Sequence, residues 1–373
     1  MTSRPIWVAL ALVLLTSRAF ADDDEGPPLS VYGFARLDVL VDDRPMSDLS
    51  RPVYVPMGST GSEMTMTPRL SQIGLSVDRW QLSSHVEGEG KLEIDFGGGA
   101  GVNAIRLRHA YGAITLRDHV EVLAGQTWDL ISPLMPSVQN DTLLLGAGNT
   151  GDRRPQVRLT TYDRHWRAAV AGAVTGTFDG AMETMMPATP TTSSASTKPM
   201  LQWLVEARGR ERGDRTARIG VWGHVAREDG LDGKTRSSTS FGGHALMPLA
   251  KLGVLHGELY TGYNAADIGG GLGLGTSPIT HRGVHSIGGW GELAILVPKP
   301  SFTIALGGAA DVARGSDLGS EDRQSNVVAY TGLRITPVSS IRLGLEYLLW
   351  RTTYKDLGTA VANRVDFSTT VSF

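Results

Sequence analysis

The chain contains no cysteine. It therefore has neither a disulfide framework nor thiolate metal ligands. No HExxH or GxSxG motif occurs, and the nine histidines are scattered without metal-ligand spacing. Zinc-hydrolase and nucleophile-elbow chemistry thus find no support, and we expect no enzyme activity, metal or cofactor. Beyond the first residues, no stretch approaches the roughly eighteen consecutive apolar residues of a helical membrane span. The formal net charge is only −3, with 20% charged residues. That balance offers no basic excess to attract nucleic acid.

What is present begins with an export signal. Arg4 precedes an apolar run from Ile6 to Leu15, and Ala19-Phe20-Ala21 has the A-x-A form of a cleavage site. Residues 1–21 therefore read as a signal peptide, 22–30 as a short periplasmic lead-in, and 31–373 as one domain. Removing Arg4 and Arg18 shifts the net charge from −3 to −5.

The domain has one rhythm. In HVEGEGKLEIDF (85–96), His85, Glu87, Glu89, Lys91, Glu93 and Asp95 alternate with Val86, Gly88, Gly90, Leu92, Ile94 and Phe96. A period of two marks a strand whose faces meet different surroundings. Similar segments recur at 31–41, 70–79, 83–96, 104–114, 119–127, 155–162, 165–175, 200–208, 215–227, 237–247, 252–263, 284–297, 301–313, 326–335, 340–354 and 363–373.

The connections alternate in length. Long ones fall at 43–69, 128–154, 176–199, 264–283 and 314–325, with shorter members at 97–103, 228–236 and 355–362. Between them lie short turns, such as Thr115–Asp118 and Asp163-Arg164. A soluble sandwich has no reason to sort its loops by parity. A transmembrane antiparallel β-barrel of about 16 strands does, with long extracellular loops and short periplasmic turns. Outward-facing Tyr111, Trp166, Trp203, Tyr263 and Phe373 would supply its aromatic girdles. The expected location is the bacterial outer membrane, among lipid and lipopolysaccharide.

A lumen this wide is an aqueous channel unless plugged. Loop 128–154 carries Leu143-Leu144-Leu145, which suits an inward-folded third loop packed on the barrel wall; a latch onto a neighbouring subunit is the alternative. By parity, Arg106, Arg108, Arg154 and Arg158 point into the pore, and Arg167, Arg208 and Arg218 extend that wall; Arg153, which like Arg154 and Arg158 lacks an obvious in-strand acid, joins the anion-attracting set. Arginine suits carboxylates because its planar fork binds them in bidentate fashion. Arg106 and Arg108 could be free, or paired across the hairpin with the lumen acids Glu93 and Asp95. Glu87 and Glu89 complete those acids. Asp129, Asp141 and Asp152 would place negative charge on the loop, opposite the basic wall. We expect a preference for small anions, through either a passive or a saturable, substrate-specific channel. A scaffold for an adhesin or enzyme is a weaker alternative. Gly33, Ala35, Gly88 and Gly90 leave a shallow outer surface suited to a subunit contact, or simply ease barrel curvature. GGGLGLG at 269–275 reads as a flexible linker within a long loop.

Phe373, closing an alternating strand, resembles the C-terminal signal that outer-membrane proteins present to the barrel-assembly machinery. GKLEIDF (90–96), RLRHAYG (106–112) and VLAGQTWDL (122–130) resemble the DcaP-like trimeric porins over residues 83–165. That resemblance implies a homotrimer that passes small hydrophilic, often anionic, solutes such as dicarboxylates by passive diffusion.

Overall fold

The computed structural model describes residues 28–98, 104–175, 198–209, 216–229, 235–250, 252–298 and 301–373. The expected signal peptide, most of the lead-in and most of the 176–199 loop lie outside them. There are seventeen strands: β1 (Leu29–Asp42), β2 (Glu63–Thr67), β3 (Gln72–Ser83), β4 (Val86–Gly98), β5 (Ala104–Leu116), β6 (Val120–Trp128), β7 (Arg153–Tyr162), β8 (Trp166–Ala173), β9 (Met200–Arg208), β10 (Arg218–Asp229), β11 (Thr235–Leu249), β12 (Gly253–Tyr263), β13 (His285–Pro298), β14 (Ser301–Ala313), β15 (Arg323–Val338), β16 (Ile341–Tyr354) and β17 (Gly358–Ser372).

Each strand pairs antiparallel with its neighbour, and β17 returns to β1 through Phe34↔Ser372 to Asp42↔Arg364. The sheet is thus closed, and no edge is left to aggregate. β2 and β3 form a single bent stave. Glu63–Thr67 pairs with Asp38–Asp42, and Gln72–Val77 pairs with Leu29–Phe34. Pro68 interrupts the stave because it has no N–H to give the ladder. Ser71 patches the gap: its Oγ accepts from the Arg36 N–H at 2.9 Å and donates to the Arg36 carbonyl at 3.2 Å. Counting β2 and β3 as one stave leaves sixteen, as the sequence rhythm predicts.

Alternation holds through most staves. Val361, Val365, Phe367 and Val371 are exposed on the outer face of β17, whereas Arg364, Asp366 and Ser368 are buried inside. One expectation fails at a bulge. In the β4–β5 ladder Glu93 pairs with His109, yet Ile94 pairs with Leu107, which leaves Arg108 as the extra residue. Such an insertion flips every side chain beyond it. Tyr111 therefore points into the lumen rather than into the outer girdle, and its ring meets His109 edge-on at 6.2 Å. Trp166, Tyr263 and Phe373 are exposed outside, as expected.

The outer glycines have a second job. A Cβ at Gly33 would come within 2.8 Å of the Phe373 ring, and one at Gly88 within 3.1 Å of Leu82. These two glycines seat side chains of their own barrel. Gly33 and Phe373 also exchange backbone hydrogen bonds at 3.2 and 3.1 Å, which close the barrel at its last residue.

The barrel interior holds an apolar core, built where loops fold inward. Met46 and Val55 of the first loop and Leu134, Val138 and Leu144 of the third pack on Trp290, Tyr330, Leu348 and Trp350. Leu130 and Ile131 join Leu204, Trp222, Tyr260 and Ile268 in a second cluster. The 269–275 stretch is no loose linker. Leu272 is buried, and the Gly271 N–H donates to the Tyr260 hydroxyl at 2.7 Å.

Candidate pore constriction

The third loop runs from Asp129 to Asp152, and nearly all of it lies buried inside the barrel. Its path follows from its backbone donors, each of which needs a partner once removed from water. The Leu130 N–H donates to Gln202 of β9 at 2.8 Å. Ser132 Oγ donates to Glu258 of β12, and the Leu134 N–H reaches the same carboxylate at 2.7 Å. The Ser137 N–H donates to Glu292 of β13 at 2.7 Å, and the Gln139 N–H to Glu346 of β16 at 3.1 Å. The loop carbonyls turn to arginine: Arg36 of β1 donates to the Gln139 carbonyl at 2.7 Å. Asp141 then reaches Arg106 of β5 at 2.8 Å. The loop has by that point swept most of the lumen's circumference.

Its return limb lies on other loops. The Gly146 and Gly151 N–H groups donate to the Gly269 and Ile268 carbonyls at 2.8 and 2.7 Å. Thr142 donates to the Pro52 carbonyl at 3.0 Å. Leu144 packs in the core as its apolar character predicts, while Leu145 meets Val53 of the first loop. Gly148 lies on the wall with φ 118°, and a Cβ there would stand 2.2 Å from the Gly289 carbonyl. Only glycine fits both the left-handed backbone and that close approach.

The sequence-predicted arginines divide into two sets. Arg106 is held by Asp95 at 2.6 Å and by Asp141 at 2.8 Å. Arg108 is held by Glu93 and Asp95, both at 2.8 Å, although part of its side chain stays exposed. Of the two readings left open above, the paired one is what the structure places here. Arg154 departs from the pore-lining expectation. It is fully buried, ion-paired with Asp129 at 2.8 Å, and donates to the Asp267 carbonyl at 3.0 Å. It ties the base of the third loop to the 264–283 loop. Arg153 is also buried, its guanidinium 4.7 Å from the centre of the Trp128 ring.

Arg158 and Arg167 differ from these. Arg158 is oriented by Gln156 Oε1, at 3.1 and 2.8 Å, and by the Trp128 carbonyl. Neither Arg158 nor Arg167 forms an ion pair among the described residues.

The loop acids are all engaged, as are Glu93 and Asp95. Asp129 is bound by Arg154, by Gln202 at 2.6 Å and by the Asp152 N–H at 2.9 Å. Burial pushes its carboxyl up despite those partners. Asp141 is bound by Arg106 and by Arg51 of the first loop at 2.8 Å. Burial alone would raise its carboxyl, but the two guanidiniums overcome that and hold it far below the usual carboxylate range. Asp152 accepts the Arg153 N–H at 2.7 Å. Glu93 also accepts from Tyr32 at 2.7 Å and pairs with Lys91 at 3.0 Å. Glu87 and Glu89 stand toward the short-turn rim, with Arg79 3.5 Å from Glu87.

Two lumen spaces meet at Trp128. One, about 130 Å³, lies among Arg36, Gln72, Arg108, Arg153 and the loop tip at Gln139–Asp141. The other, about 240 Å³, lies between Arg158 and Arg167 and the loop segment Leu130–Met135. The wall acids Glu258, Glu292 and Glu346, which steer the loop, were not singled out as anchors by sequence reasoning. His256, two residues before Glu258, lies against Glu292 instead, at 3.1 Å.

A closed sixteen-stave barrel with its third loop folded into the lumen is the fold of the outer-membrane porins. Within that class, the structure is similar to the outer membrane channel DcaP of Acinetobacter baumannii, with a TM-score of 0.75 and 17% identity over 94% of this chain and 99% of that one. It is also similar to Pseudomonas putida OprB (0.62, 8% identity, 98% and 97% covered) and to an anion-selective porin from Comamonas acidovorans (0.60, 11%, 93% and 100%). No family model and no curated protein sequence matches the chain.

Proposed function

We propose that the protein is an outer-membrane porin through which small hydrophilic solutes diffuse passively, with a preference for anions. The observation that carries this is the asymmetry of charge around the third loop. Its acids and the wall acids beneath it are consumed by arginines and by loop N–H groups, while Arg158 and Arg167 face the lumen with no ion-pair partner among the described residues. Local charge at a narrow passage outweighs the negative net charge of the chain, because exposed charges farther than a Debye length are screened. Arg108, Arg153, Arg158 and Arg167 form the basic side of the passage in this reading, and Arg106 and Arg154 position the loop. The similar fold of the anion-selective Comamonas porin is in keeping with it. Assembly as a homotrimer, export through the signal at 1–21 and recognition of Phe373 by the assembly machinery belong to the same proposal.

The deciding measurement is the reversal potential across a planar bilayer under a salt gradient, with single-channel conductance recorded alongside. Chloride preference in three equal conductance steps supports the reading. Cation preference overturns it and would hand control to Glu87 and Glu89.

A further inference from the structure

The space of about 240 Å³ under the third loop is chemically lopsided. On one side stand Arg158 and Arg167. Arg158 is pre-set by Gln156 and the Trp128 carbonyl, and its Nη1 has no protein partner among the described residues. Arg167 has no hydrogen bond or ion pair among them. A guanidinium already fixed in place loses little entropy on binding a planar anion.

On the other side the loop presents Leu130, Pro133 and Met135, with Trp128 closing one end. Pro133 and Met135 alternate with buried Ser132 and Leu134, so they are the loop residues turned toward the open lumen. A wall meant only for hydrated inorganic ions gains nothing from apolar side chains there, since leaving them against water is unfavourable. The polar groups nearby are already taken. Ser132 is turned to Glu258, and the Asp129 carboxylate is bound by Arg154 and Gln202. A mostly apolar cleft with a few fixed polar groups is the form of a site for an organic ligand.

Building on the anion preference above, we propose that this space is a binding subsite for single-headed organic anions. The carboxylate or sulfonate lies on Arg158 and Arg167, and an aliphatic or aromatic body lies on Trp128, Pro133 and Met135. Passage of such solutes is saturable, whereas chloride passes without measurable binding.

The test uses the full-length exported protein in planar bilayers, with chloride as the current carrier. Methanesulfonate, butanesulfonate and benzenesulfonate serve as blockers, because they stay ionised and do not partition as neutral acids. We expect the half-blocking concentration to fall about tenfold from methanesulfonate to benzenesulfonate, as burying a ring-sized apolar surface implies. Met135→Gln, close in volume and half-exposed, should flatten that series and leave chloride selectivity as in the wild type. Arg167→Gln should weaken all three blockers together. Heat-modifiable migration on gels confirms that each variant is folded, and Pro133→Ser repeats the test should Met135→Gln fail to assemble. Equal block by the three sulfonates with chloride preference intact overturns the subsite alone. A size series that survives both Met135→Gln and Arg167→Gln also overturns it, since the site would then lie elsewhere. Loss of chloride preference in the wild type overturns the reading on which the subsite rests.

Discussion

The two halves of the barrel interior are made from the same alternating strands yet do opposite things. On β11–β17 the inward acids stand among arginines such as Arg323 and Arg364, and the wall is filled. Glu258, Glu292 and Glu346 accept loop N–H groups, and Asp311 accepts from Leu272 at 3.2 Å, above a core of Trp290, Tyr330 and Trp350. On β5–β8 the inward charges are mostly arginines, and the lumen spaces lie against that wall. The difference comes from the backbone. A loop folded into a barrel brings its N–H groups with it, and the oxygens of the wall carboxyl groups accept from them. The guanidiniums can take only carbonyls and acids. Once those are used, the remaining arginines face water.

The comparison breaks most severely at Arg106. Arg106→Ala leaves Asp95 and Asp141 buried with one guanidinium fewer between them. Removing one partner from a buried charge cluster costs about 3–5 kcal/mol. The variant should lose its loop tip and unfold at lower temperature, as followed by heat-modifiable migration and by β-sheet circular dichroism. Wild-type thermal stability in Arg106→Ala would mean that Asp141 is not a structural latch.

The filled half can be opened separately. Glu258→Ala strands the Leu134 N–H, at about 1–3 kcal/mol for a buried group left without a partner, while the Ser132 hydroxyl keeps Asn149 as acceptor at 2.8 Å. We expect larger, noisier single-channel currents with selectivity little changed, because the basic wall is untouched. A drop in anion preference of the size expected for Arg167→Gln would erase the division of labour between the halves. Arg167→Gln is the smaller, purely electrostatic perturbation. It should lower the chloride-to-cation permeability ratio by about two- to threefold, on the order of one kT of local potential, with conductance nearly unchanged.

Much of this was legible in the chain because it depends on a period of two. Strand positions, the sorting of loops by length and the inward third loop with its Leu143–Leu145 segment all follow from alternation and composition. Bulges hide from that kind of reading. Arg106, Arg108 and His109 are all polar, so nothing in the pattern shows that one of them is an extra residue, and Tyr111 was placed on the wrong face. The roles of the acids were hidden for another reason. Glu258, Glu292 and Glu346 look like Glu87 and Glu89 in sequence, and only the route of a loop more than a hundred residues away turns them into anchors. Arg154 and Asp129 flank the loop base, and their pairing becomes visible once the loop's two ends are known to meet at Asp129–Asp152.

The smallest expected effect is that of pH on the loop tip. Asp141 would be harder to ionise through burial alone, but Arg106 and Arg51 hold its folded-state value well below that of an unfolded aspartate, about 3.9. A group depressed in this way contributes stability that is fully present above the unfolded value. It is lost only as pH falls through the lower, folded one. From pH 8 down to about pH 4 the latch therefore stays charged, and the part of the conductance it controls should not change. The comparison to make is a titration of wild type against Asp141→Asn. The variant should show a weakened latch, seen as noisier current, equally at every pH. A conductance step in the wild type between pH 4 and 7 that is missing from Asp141→Asn would mean that the carboxylate titrates in the working range. The two guanidiniums would then be less tightly closed around it than their 2.8 Å contacts indicate.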